Sequence, residues 1–184
     1  MNSGIIASRY AKAFLMFVQE SGSGDIAYSQ ASDLVRIMGE IPQLKVYITD
    51  AVDILADKKI ELLSTALGTA VDASISRFLK MVTDHHRLEY FPRMLLSFIE
   101  QYRIANNIKV GTLVTAVEND GLRARLEGIL RERTGAQVLL EEKVSPEIIG
   151  GFVFELDGYR LDASVENHLE RIRRQLVEKN NRIV

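Results

Sequence analysis

Up to about Asn106, apolar side chains recur at three- and four-residue intervals, the spacing of helices that bury one face. Breakers divide this stretch into six short helices. The first spans roughly Ile5 to Ser21 with Ile6, Tyr10, Phe14 and Phe17 as its stripe; Gly22-Ser23-Gly24 ends it and Asp25 is placed to cap the next. That second helix carries Leu34, Ile37, Met38 and Ile41, and Pro42 stops it and opens a short helix through Ile48. Asp57 is expected to cap a helix with Ile60, Leu63 and Leu67, and Asp72 one with Ile75, Phe78, Leu79 and Val82. Pro92 begins the last of the group, with Leu95, Phe98, Ile99 and Tyr102 on one side. Six amphipathic helices of this kind predict a bundle around one core.

After Asn106-Asn107 the period changes to two. Val110, Thr112, Val114 and Ala116 alternate with Gly111, Leu113, Thr115 and Val117, a strand apolar on both faces and therefore central in a sheet. Asn119-Asp120-Gly121 breaks it, a helix with Leu122, Leu126, Ile129 and Leu130 runs to Gly135, and Gln137 to Val144 is a second strand. Ser145-Pro146-Glu147 starts a single turn that Gly150-Gly151 ends. Phe152, Phe154 and Leu156 then share one face of a strand, Asp157-Gly158 is a two-residue hairpin signal, and Tyr159 to Leu161 returns. Asp162 or Ser164 caps a final helix, where Val165, Leu169, Ile172 and Leu176 fall at i, i+4, i+7 and i+11. The fold expected is α+β, with a helical bundle over 1–106 and a small α/β domain over 107–184.

Composition narrows the function. With 184 residues, 47% of them hydrophobic, the chain can bury a core. Residues 1–105 hold 11 basic and 12 acidic side chains and residues 106–184 hold 12 and 13, so neither half has the basic excess of a nucleic-acid module. A helical nucleic-acid-binding regulator, suggested by the arginine-bearing helices at 121–134 and 163–178, is the alternative reading; a small hydrolase is a distant third. Cysteine is absent, which removes disulfides, thiol catalysis and thiolate metal sites. The apolar run Phe14 to Val18 is far too short for a secretory h-region or a membrane span.

Chemical motifs are few. Gly22-Ser23-Gly24-Asp25-Ile26-Ala27 fits the dinucleotide pattern G-x-G-x-x-A, but a helix precedes it where the chemistry needs a strand, so it reads as an interhelical loop. No Walker phosphate loop is present. His85, His86 and His168 are the only histidines, and adjacent helical positions point about 100° apart, a poor arrangement for one metal. Asp157 and Asp162 are accounted for by a turn and a cap. No catalytic, cofactor or metal site is expected. Arg171, Arg173 and Arg174 lie on the exposed side of the last helix, with Glu170 and Arg174 paired at i, i+4; solvation is the plain reading and an acidic partner the other.

Ala7-Ser8-Arg9-Tyr10-Ala11-Lys12-Ala13-Phe14, Phe78-Leu79-Lys80-Met81-Val82 followed by Arg87-Leu88 and Phe91-Pro92, and Ile148 to Leu176 together resemble the delta subunit family of bacterial F-type ATP synthases, relatives of the mitochondrial oligomycin-sensitivity-conferring protein. The resemblance spans nearly the whole chain. It departs at Arg9-Tyr10, where a proline often intervenes, and at His85-His86, which stand where Asn-Gly is usual. It implies a non-catalytic peripheral-stalk subunit, one copy per complex, on the cytoplasmic face of the bacterial inner membrane and attached to it only through partners. It further implies that the helical domain holds N-terminal helices of α subunits and that the second domain meets the C-terminal region of b. The α-subunit helix is expected in a groove between the first helix and the helix from Asp72 to Asp84, with Tyr10, Ala13 and Phe14 on one wall and Phe78, Met81 and Val82 on the other. Arg171 and Arg174 are the candidate contacts to b.

Overall fold

The computed structural model describes residues 3–50 and 55–181, without the side chains of 50, 120 and 176–181. The chain divides into two compact units, 1–106 and 107–184. Among the described residues no helix is long and apolar enough to cross a membrane.

The first unit contains α1 (Ser3–Ser21), α2 (Gly24–Glu40), α3 (Pro42–Asp50), α4 (Ala56–Leu67), α5 (Ala73–Asp84), a 3-10 turn at Leu88–Tyr90 and α6 (Phe91–Ala105). Gly22 takes φ +68°, the Ser23 amide donates to Val18 O and the Gly22 amide to Gln19 O, so α1 ends in a Schellman motif. A helix on each side of the Gly22-Ser23-Gly24 segment leaves it no strand from which to present amides to a pyrophosphate.

The buried face of α1 is rotated from the one its large residues predict. Ala7, Ala11, Phe14 and Val18 are its buried positions, whereas Ile6, Tyr10 and Phe17 are half-buried. Ala7 and Ala11 are thus on the inner face of a helix that packs most extensively against α6, while the Tyr10 and Phe17 rings sit at the rim. Two expected caps also differ. The Asp25 carboxylate accepts from the Tyr102 hydroxyl at 2.6 Å instead of capping α2, and burial followed by this bond pushes the Tyr102 phenol up to about 12. Asp57 lies in the first turn of α4 but pairs with Lys80 of α5 at 2.8 Å. Asp72 does cap α5, accepting from the Ser74 amide at 2.8 Å.

Lys59 of α4 is completely buried, its Nζ donating to Ile48 O in the last turn of α3 at 3.0 Å. A cation at a helix C-terminus meets the negative end of the helix dipole. Desolvation nonetheless pushes its pKa down.

The second unit is a four-stranded mixed sheet with two helices. β1 (Ile108–Thr115), α7 (Asp120–Thr134) and β2 (Gln137–Val144) form a parallel crossover, and β3 (Phe152–Leu156) and β4 (Tyr159–Asp162) add antiparallel strands in the order β2-β1-β3-β4. β1 is thus central. Leu113, Val138, Leu140, Phe154 and Leu156 make the core, with Leu126 and Leu130 of α7 packed on it. Asp157 and Gly158 both have positive φ, +49° and +80°, the requirement of a type I′ turn. Gly151, at φ +76°, lies where a Cβ would collide with the Ala163 carbonyl.

Asp162 and Ser164 share the start of α8 (Val165–Asn181). Asp162 Oδ1 accepts from the Ser164 amide at 3.0 Å and hydroxyl at 2.6 Å, while Ser164 Oγ accepts from the Asn167 amide at 3.2 Å. The apolar stripe that follows is not buried: Val165, Leu169 and Ile172 are all exposed. Leu176, its last member, lies outside the described side chains.

Candidate partner-binding groove

α1 and α5 meet through a ring stack. Phe14 and Phe78, 2% and 3% exposed, lie with centroids 4.4 Å apart and planes 17° from parallel, and Phe98 of α6 closes on Phe14 from behind at 4.6 Å. Outside this stack a cavity of about 190 Å³ opens, lined by Ala13, Phe14 and Phe17 from α1 and Arg77, Phe78 and Met81 from α5. The small Ala13 side chain leaves the space, and half-buried Met81 supplies an adaptable wall. The lining is apolar apart from Arg77.

Four of the six residues expected there, Ala13, Phe14, Phe78 and Met81, are brought together. Val82 is not: it is 0% exposed, on the face of α5 directed into the core, so it has no surface to offer a partner. Tyr10 lies beyond the cavity, half-buried, where the Arg87 guanidinium carbon is 5.4 Å from its ring centroid and His85 packs edge-on at 6.2 Å. Phe17 and Arg77 fall outside the expected set. Their signal is present, since Phe17 follows Ala13 by four residues and Arg77 precedes Met81 by four, the spacing of neighbours on a helix surface. An arginine does not register in an apolar pattern, however, and Phe17 is equally suited to a core stripe.

The histidine pair is explained by the end of α5. His85 is its C-cap, with Nδ1 2.7 Å from Met81 O, and His86 takes φ +54° in the position glycine favours. The His86 amide donates to Thr83 O and the Arg87 amide to Val82 O, a second Schellman motif, which carries Arg87 back beside Tyr10.

In the second unit, Arg171 and Arg174 are exposed. Arg171 Nη2 is 2.9 Å from His168 Nδ1, and Arg174 pairs with Glu170 at 3.1 Å. A shallow depression of about 400 Å³ beside them is lined in part by Ser164, Val165, His168, Leu169 and Arg171. Among the described residues there is no group of three or more His, Cys, Asp or Glu placed to hold a metal.

Known proteins resemble this chain along its length. The family described as the ATP synthase delta (OSCP) subunit matches residues 6–176. ATP synthase subunit delta of Phocaeicola vulgatus is 35% identical over 100% of both chains, and that of Bacteroides thetaiotaomicron is 32% identical over 100% of both. Among solved structures, a chain of the Toxoplasma gondii mitochondrial ATP synthase hexamer superposes with a TM-score of 0.58 at 19% identity, covering 93% of this chain and 97% of that one, which supports the fold. The chain belongs to the ATP synthase delta (OSCP) subunit family.

Proposed function

We propose that this chain is the joint of the stator in an F-type ATP synthase: α1 to α6 act as a six-helix bundle that grips N-terminal helices of α subunits, and the domain over 107–184 meets the C-terminal region of b. It is a non-catalytic subunit, present once per complex. Its place is the cytoplasmic face of the bacterial inner membrane, held there through its partners. The work is mechanical. If the catalytic head turned with the rotor, proton flow would not drive the cycle that makes ATP, so the joint must resist torque without dissociating. A nanomolar joint corresponds to about −12 kcal/mol, within reach of several modest interfaces that act together through effective concentration.

The observation that carries the reading is the apolar cavity of about 190 Å³ between α1 and α5, open beside a finished core and able to take an apolar anchor side chain from an amphipathic helix. A charge placed there would be buried unpaired under the partner's apolar face. Ala13→Asp and Met81→Asp are therefore expected to abolish capture of an α-subunit N-terminal segment while thermal unfolding stays cooperative. Unchanged affinity in both folded variants would move the site elsewhere. For the second domain, Arg171→Glu with Arg174→Glu is expected to weaken retention of a segment from the C-terminal region of b, read by co-purification.

A further inference from the structure

The geometry points to a charge rule for the helix accepted between α1 and α5: it carries two carboxylates about two helical turns apart, one on each side of its apolar anchor. The inference rests on reading this groove as a partner-helix site. Three pairings set the direction of the two walls. Phe17 lies with Arg77, Phe14 with Phe78 and Tyr10 with His85, so α1 and α5 run antiparallel and the groove follows both. Each end is marked by an arginine on an aromatic ring. The Arg77 guanidinium carbon is 5.5 Å from the Phe17 centroid; Arg87 stands 5.4 Å from the Tyr10 centroid and its Nη1 donates to the Tyr10 hydroxyl at 3.3 Å.

Both arginines are exposed, and among the described residues neither has a carboxylate within ion-pair distance. Lys80, one turn from Arg77 on α5, shows the contrast: its charge is answered by Asp57 at 2.8 Å. A ring beneath the guanidinium face fixes the plane and leaves N–H edges for an incoming carboxylate, which suits arginine's planar fork. Tyr10 and Phe17 are seven residues apart on α1, so at 1.5 Å per residue the brackets are separated by about 10.5 Å. On a helix lying along the groove, that distance corresponds to acidic residues at i and i+7. A helix with basic residues there would meet like charge at both ends and be rejected.

The test measures Kd calorimetrically with the full chain. The probe is the N-terminal segment of the α subunit from the same organism's ATP synthase, used at low and high salt, as it stands and with single carboxylates changed to lysine. Arg77→Glu and Arg87→Glu each should weaken binding about fivefold, and the pair about 25-fold. A lysine at the matching peptide position should restore binding to the corresponding variant, and salt should weaken the wild-type complex more than that of the double variant. Unchanged Kd and salt dependence in folded Arg77→Glu and Arg87→Glu chains would overturn the charge rule while leaving the groove intact. So would tight binding of a segment with no carboxylates at that spacing. Absence of binding by the wild-type chain would defeat the groove reading and the rule with it.

Discussion

α5 and α8 carry apolar stripes of the same helical period, yet α5 buries Ile75, Phe78, Leu79 and Val82 whereas α8 leaves Val165, Leu169 and Ile172 exposed, Leu169 by 53%. Their surroundings differ. α5 has α1, α2 and α4 as neighbours, while α8 packs chiefly against the 3-10 turn at Pro146–Ile148, with the Val165 amide donating to Gly150 O at 2.9 Å. Periodicity establishes that a helix has an apolar face; it does not say whether the chain itself supplies the cover.

The largest expected effect contrasts these two stripes directly. Leu79→Ala should destabilise the first unit by about 2–5 kcal/mol, the usual loss at a buried leucine, whereas Leu169→Ala should stay within about 0.5 kcal/mol. Denaturant titration of both variants would break the comparison if their midpoints fell equally. Smaller is the effect at Gly151, which lets the chain pass close to Ala163 just before α8: Gly151→Ala should destabilise the second unit by about 1–3 kcal/mol, seen as early loss of its amide protection. At the end of α5 the sign reverses. His86→Gly removes a left-handed side chain and should stabilise by about 1 kcal/mol, raising the melting temperature.

The smallest effect is a pH dependence at the start of α8. Hydrogen bonds from the Ser164 side chain and then its amide hold the Asp162 carboxyl below its ordinary value of 3.8. A depressed folded pKa means that the contribution is complete above the unfolded value and is lost as pH falls through the folded one. Asp162→Asn should therefore flatten the acid limb of the second unit's stability curve below about pH 4 and leave its slope near neutrality unchanged. An identical acid limb in the variant would assign the effect to other carboxylates. Glu142 is one, held low by bonds from the Asn119 amide and then the Thr115 hydroxyl.

Local turn chemistry is the most legible part of the sequence. Asp157-Gly158, Ser164, Asp72 and Gly22 each act within a few residues, so short-range sequence decides their geometry. Asp25 and Asp57 mislead because a carboxylate near a helix start can serve either a nearby amide or a distant donor. Tyr102, 77 residues along the chain, and Lys80 win that competition. The orientation of α1 is hidden for a related reason: α6 is its most extensive neighbour, and the face it buries includes the small Ala7 and Ala11, which carry little weight in an apolar pattern. The same rotation puts Phe17 at the groove and leaves only part of the expected wall correct. Buried Lys59 has no local signal, since its acceptor is a carbonyl on another helix.

The central position of β1 also bears on synthesis at the ribosome. Its β2 edge is paired once Val144 has emerged, but its other edge waits for Phe152 to Leu156. At about 5–20 residues per second, that interval lasts on the order of a second. During it, β1 carries a row of unpaired amides and carbonyls that a neighbouring nascent chain can extend. The tight Asp157-Gly158 hairpin then lays β4 on the outer edge of β3 after only a few further residues, so the same turn that shapes the finished domain also shortens the time that second edge stands open.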